Sequence, residues 1–225
     1  FNFLSSLIVR LIISIDLDPI IPEPGTEKWN ITSDTASAIP HCDFVLVTVP
    51  TPITEDLKPD LSYVATAGRA IFNSLQKGRN TIVVLESTVY PGVTSETWNP
   101  IIEELGLEIG VDVTIAYCPE RFNPGDPARG VRQVARVIGC PDIEVGNRLV
   151  SFYSCLTSED VRYVGAIEVA EASKVIENVQ RDINIALVNE LARIFPEMGV
   201  DVEDVLDIIK FVLKVKSEYE CVKLS

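Results

Sequence analysis

A carboxylate and a guanidinium stand side by side in Tyr117-Cys118-Pro119-Glu120-Arg121-Phe122-Asn123-Pro124-Gly125-Asp126. Placed after an apolar run that reads as a strand, Glu120 suits activation of water, and Arg121 suits recognition of an anion or a sugar. The Asn-Pro-Gly-Asp half of the string is by itself a turn signal. A second set, Glu171, Lys174, Asn178 and Arg181, recurs at steps of three and four, which stacks these groups on one flank of a helix. Taken alone, that stripe fits a solvated face better than a catalytic one, because Glu and Lys neighbours at this spacing are common. Thr51 is held between prolines in Val49-Pro50-Thr51-Pro52, Thr88 follows an apolar run in Glu86-Ser87-Thr88-Val89, and Asp16 ends the run LIISID. A turn or a cap explains each of them structurally. Each also stands where a loop after a strand would meet a ligand, and Asp16 suits hydrogen bonds to the ribose hydroxyls of a dinucleotide.

The elements that must position these residues follow from hydrophobic patterning. Leu11–Asp16, Asp43–Val49, Thr81–Leu85 and Val113–Tyr117 are β-rich apolar runs bounded by polar or turn residues, and Gln133–Ile138 and Asp160–Val164 extend the series. Helical patterns lie between them: Leu61–Gln76 behind an Asp60 cap, Ser95–Leu105 behind Thr94, and a stretch around Val145–Leu156. Continuous apolar strands alternating with helices predict an α/β fold, a Rossmann-like, doubly wound parallel sheet covered on both faces. Its ligand crevice is expected beyond the carboxyl ends of the strands.

Gly165-Ala166-Ile167 marks the expected boundary between a domain over 1–165 and a region over 166–225, the start of a helical domain. That region opens with one long helix, Glu168–Ile194, free of Pro and Gly. The stripe Val175, Val179, Ile183, Ala186 and Leu187 predicts a side facing core. The helix should stop near Pro196–Gly199, with Gly199 in the C′ position, and Asp201 should cap a further helix with Asp204 three residues on.

Composition narrows the function. A net charge of −14 argues against nucleic acid and anionic membrane as partners, so an anionic ligand would have to be held by local cations and backbone amides. There is one histidine, His41, and no CxxC pair among the five cysteines, which argues against a zinc site. The odd number of cysteines suits reduced thiols in a cytoplasmic compartment, each read as a buried structural residue. In residues 1–15, Arg10 interrupts an apolar run too short to span a bilayer, and no small-residue cleavage site follows.

The string Ala170-Glu171-Ala172-Ser173-Lys174-Val175-Ile176-Glu177-Asn178, with Arg181-Asp182-Ile183-Asn184-Ile185-Ala186-Leu187 and Asn189-Glu190-Leu191-Ala192 after it, resembles the central helix of the UDP-glucose/GDP-mannose 6-dehydrogenase family. Its arginine–aspartate–asparagine version is similar to the branch acting on UDP-N-acetylhexosamines, UDP-N-acetylmannosamine foremost. The Pro-Glu-Arg string agrees, since UDP-glucose members carry a second glutamate where Pro124 stands. The resemblance implies NAD as cofactor, with Asp16, Thr51 and Thr88 along it. It implies a catalytic set of Thr88, Glu120, Lys174 and Asn178, and a substrate surface of Glu120, Arg121, Phe122, Asn123, Lys174 and Asn178. The implied reaction is a four-electron oxidation of the sugar C6 alcohol to a carboxylate, with Lys174 and Asn178 holding the oxyanion that develops at C6. A homodimer through the long helix is the implied assembly.

The sequence also departs from the family. No glycine precedes Gly25, so the G-x-G-x-x-G turn expected ahead of Asp16 is not in this sequence. Cys221, in Glu-Tyr-Glu-Cys-Val-Lys, lacks the flanking glycines of the family's nucleophile and is not assigned that role. The chain therefore reads as truncated at both ends and is expected to be inactive by itself. The alternatives are a β-hydroxyacid-type dehydrogenase, which also pairs a Rossmann domain with a Lys-x-x-x-Asn helix, and a non-catalytic truncated product.

Overall fold

A computed structural model describes residues 9–12, 34–121 and 131–213. Its sheet has six strands in chain order: β1 (Val9–Ile12), β2 (Phe44–Val47), β3 (Thr81–Leu85), β4 (Val113–Tyr117), β5 (Arg136–Gly139) and β6 (Val161–Gly165). The helices are the short α1 (Thr35–Ala38), α2 (Ser62–Asn73), α3 (Val93–Glu104), α4 (Ile143–Ser154), α5 (Ile167–Ile194) and α6 (Val202–Leu213). Two compact units result, Phe1–Ser173 and Lys174–Ser225.

The expected Rossmann-like α/β sheet forms around a parallel centre, and its strands are mixed in direction. β2, β3 and β4 run parallel, in the register Phe44↔Ile82 and Thr81↔Val113. β1 is antiparallel to β2, and β5 meets β4 antiparallel through Tyr117↔Gly139. α2, α3 and α4 each carry the chain back across the sheet, so the strands they join are parallel. Among the described residues, the β4–β5 connection has only a 3₁₀ turn, Val131–Gln133, and the chain returns in the opposite sense.

Alternating residues of the parallel strands feed two cores. Val45, Val47, Val83, Leu85, Ile115 and Tyr117 pack with Ile71, Phe72 and Trp98 from α2 and α3. Ile82, Val84, Ala116 and Cys118 pack on the other face with Leu149, Phe152 and Tyr153 from α4. Burying each large aliphatic side chain is worth about 1.5–3 kcal/mol, so coverage of both faces is what holds this sheet flat against its helices. At the carboxyl end of β5, Gly139 lets the backbone of α5 approach, since a Cβ there would lie 2.7 Å from Ile167 Cα.

The long helix begins one residue before its expected start and ends where expected, in a 3₁₀ turn, Phe195–Met198. Gly199 adopts the left-handed conformation (φ 70°) and returns its N–H to the last carbonyls, as its C′ reading requires. Asp201 accepts a hydrogen bond from Glu203 N at 2.7 Å and so starts α6. The expectation that the Val175 stripe faces core is corrected: Val179, Ile183 and Leu187 are 47%, 60% and 56% exposed. Helical periodicity groups residues on a face but does not supply the surface that covers them. Among the described residues, no helix is long and apolar enough to cross a membrane.

Candidate active site

The carboxyl ends of β2, β3 and β4 deliver three loops to one edge of the sheet. Backbone pairing runs on past the strands, with Glu86 N donating to Val47 O at 2.9 Å and Glu120 N donating to Glu86 O at 3.3 Å. Side chains then tie the loops together. Buried Ser87 donates its Oγ proton to Val49 O at 2.6 Å, and Thr51 Oγ1 donates to Thr88 O at 2.9 Å. Thr51 and Thr88, expected along a cofactor, are thus neighbours at this edge, with the Thr88 side chain exposed.

Glu120 is gripped at both oxygens. Oε1 accepts from the Arg121 backbone N–H at 2.6 Å, and Oε2 pairs with Arg136 Nη2 at 2.5 Å. Arg136, at the first position of β5, is only 6% exposed. Burial alone would pull its guanidinium down, but Glu120, Cys118 and Glu86 outweigh that and hold its pKa above the ordinary value, so it stays charged. Beside it the fully buried Tyr153 donates its hydroxyl proton to Glu86 Oε1 at 2.7 Å. Burial first, then the neighbouring Cys118 and Glu86, push the Tyr153 phenol well above its ordinary value and keep it a donor. Burial also pushes the Cys118 thiol up to about 12, which removes it as a nucleophile near neutral pH.

The first turns of α5 are fastened to the same loops. Glu171, with no exposed surface, accepts from Gly92 N at 2.6 Å, from Thr94 N at 3.0 Å and from Thr94 Oγ1 at 2.6 Å. It caps α3 from 77 residues further along the chain. Thr94, the expected local cap, is instead a residue of the helix, and left-handed Gly92 (φ 98°) precedes its first residue. Arg121 Nη2 donates to Ser173 Oγ at 2.8 Å, and Ser173 Oγ donates in turn to Ala170 O at 2.7 Å. Burial pulls the Arg121 guanidinium below its ordinary value.

The structure therefore gathers Thr51, Thr88, Glu120 and Arg121. Lys174 and Asn178 open the second unit on α5; Lys174 is buried and Asn178 exposed. Asp16, Phe122 and Asn123 lie outside the described residues. The solvated-face reading of the helical stripe fails in its first turn, where Glu171 and Lys174 are covered, and holds at exposed Arg181, which pairs with half-buried Glu177 at 3.1 Å. Of the cysteines read as buried, Cys42, Cys118 and Cys140 are buried, whereas Cys155 is exposed because it caps the end of α4. Sequence reasoning missed Arg136, Tyr153 and the capping role of Glu171. The available signal was an arginine opening an otherwise apolar strand, Arg136-Val137-Ile138-Gly139.

Two loops bringing hydroxyls and backbone groups to the carboxyl edge of parallel strands fit one side of a dinucleotide such as NAD. Comparison with known proteins agrees with that position. Residues 11–157 match the NAD-binding domain of the UDP-glucose/GDP-mannose dehydrogenase family, and residues 168–219 match its central domain. A UDP-N-acetyl-D-glucosamine 6-dehydrogenase of Pseudomonas aeruginosa is 45% identical over 166 residues, 73% of this chain and 39% of the relative. A UDP-N-acetyl-D-mannosamine dehydrogenase of Pyrococcus horikoshii is 32% identical over 84% of this chain and 44% of the relative. The chain thus spans less than half the length of these curated relatives. A solved structure of UDP-D-ManNAc dehydrogenase from Pyrococcus horikoshii superposes with a TM-score of 0.70 at 30% identity, covering 80% of this chain and 42% of the other. With a three-loop edge on a Rossmann-like sheet, a long helix following it in the chain and both domain models matched in order, this chain belongs to the UDP-glucose/GDP-mannose dehydrogenase family.

Proposed function

We propose that this chain supplies the NAD-binding domain (1–165) and the start of the central helical domain (166–225) of a UDP-N-acetylhexosamine 6-dehydrogenase. The reaction is oxidation of the C6 alcohol to the uronic acid in two steps that remove four electrons. One observation carries the reading: Glu120 is held at both oxygens beside Arg121 and the Thr88 loop, at the sheet edge where an α/β fold binds nucleotides. The names of the relatives support the N-acetylhexosamine class.

In this reading Asp16, Thr51 and Thr88 hold NAD, which when bound supplies a hydride acceptor. Arg121, with Phe122 and Asn123, binds the UDP-sugar, and a cation suits its diphosphate. Glu120 orients water as an acceptor, and its fixed carboxylate needs no reorganisation during the reaction. Lys174 and Asn178, one helical turn apart, donate to the oxyanion at C6. Buried Cys118 does not serve as the nucleophile. The unpaired thiols of Cys42, Cys118, Cys140 and Cys155 suit a cytoplasmic location.

NAD reduction is the test. The chain alone should bind UDP-N-acetylhexosamines in isothermal titration without turnover, while a version extended to the full length of its relatives should reduce NAD with such a sugar. An extended enzyme that oxidises a small hydroxyacid and no UDP-sugar would sink the proposal. The assembly is a homodimer through α5, supported by its exposed row of Ile176, Val179, Ile183 and Leu187. Sedimentation should give a dimer that Ile183→Glu dissociates, and a monomeric wild type would remove that part.

A further inference from the structure

We propose that Arg136 is a positioning residue for this oxidation, acting through Glu120; the assignment rests on the reaction proposed above. Its guanidinium grips Glu120 Oε2 while the Arg121 N–H holds Oε1 at 2.6 Å. A carboxylate held from two directions keeps one orientation at the end of β4. Arg136 is itself set in place. Its backbone N–H donates to Asp160 O at 3.0 Å, and its Cζ lies 5.7 Å from the centroid of the Tyr153 ring. Tyr153 is fixed in turn by its hydrogen bond to Glu86.

Placing Arg136 there carries a cost. Arg136 Nε and Nη1 are buried and make no hydrogen bond among the described residues. A buried cation with two unsatisfied donors lowers stability, and an apolar side chain of similar length would pack there with less penalty. Its strand neighbours Val137 and Ile138 show the choice that packing alone favours. What the guanidinium supplies that they cannot is a fixed partner for Glu120.

The test is a kinetic cycle in the full-length enzyme, with thermal unfolding followed in parallel. It uses Arg136→Met, Arg136→Lys, Glu120→Gln and the double variant Arg136→Met/Glu120→Gln. Arg136→Met should lower kcat about a hundredfold with KM changed less than about threefold, and Arg136→Lys should recover about a tenth of the lost activity. In the Glu120→Gln background, Arg136→Met should add less than about a threefold loss, because residues that act as a unit are not additive. If Arg136→Met does not fold, Arg136→Lys carries the cycle, and its loss must likewise vanish beside Glu120→Gln. Losses that multiply in the double variant, or a raised KM with kcat unchanged, overturn the assignment while leaving the reaction standing. A wild-type enzyme silent on every UDP-sugar overturns the reaction and this role with it.

Discussion

The two ends of the parallel strands solve the same problem in different ways. Both must join the loops of β2, β3 and β4. At the amino end the charged joins are well satisfied: Arg79 reaches Asp43 Oδ1 at 2.9 Å and His41 O at 3.1 Å with a third of its side chain exposed, and Asp112, though buried, accepts from both Gly78 N and Glu108 N. At the carboxyl end, beside the hydroxyl bonds of Ser87 and Thr51, the charged joins use Glu171, fully covered, and Arg136, nearly so. Two nitrogens of Arg136 find no hydrogen-bond partner there among the described residues. Holding strands together does not require this, as the amino end demonstrates. The carboxyl end bears a stability cost that belongs to positioning, and it is the end where this family's candidate site lies.

The sharpest way to break that contrast is Glu171→Ala. Removing the carboxylate leaves Gly92 N, Thr94 N and Thr94 Oγ1 without their shared acceptor in a buried place. The expected loss is about 3–5 kcal/mol in urea unfolding of this chain, with Glu171→Gln losing less because one oxygen remains. A loss below about 1 kcal/mol would mean that water or another donor satisfies the cap as easily as at the amino end. The asymmetry between the ends would then disappear.

How much of this was legible in the chain differs by element. Thr81–Leu85 and Val113–Tyr117 were read to the residue, because a strand covered on both faces writes its burial as an unbroken apolar run. Strand direction was not, since Arg136–Gly139 carries the same residue types whichever way it points; its pairing with β4, Tyr117↔Gly139, decides it. The cap of α3 was misread for a related reason. Thr94 is a good local cap by type, but a carboxylate 77 residues away occupies the same amides, and no local rule reaches that far. Of the candidate site, Thr51, Thr88, Glu120 and Arg121 were visible because motif strings end their strands. Arg136 and Tyr153 were hidden inside β5 and α4, where a polar atom in an apolar pattern looks like noise until its partner is known.

Asp112 probes the amino end with the smallest effect. Hydrogen bonds from the Glu108 and Gly78 amides hold its carboxyl below the ordinary 3.8, since they favour the charged form. A group whose pKa is depressed by folding contributes stability that is fully present above its unfolded value and fades as the pH falls through its folded one. Wild type should therefore be the more stable partner of Asp112→Asn at about pH 6, with the gap closing as the pH drops below about 3.8 toward about pH 2. The asparagine cannot accept from both amides at any pH, because one side of its amide is a donor. Urea midpoints taken across that range decide the matter. A gap that stays constant in acid would show that Asp112 acts by shape, and the amino end would no longer serve as the fully hydrogen-bonded, titratable counterpart of the carboxyl end.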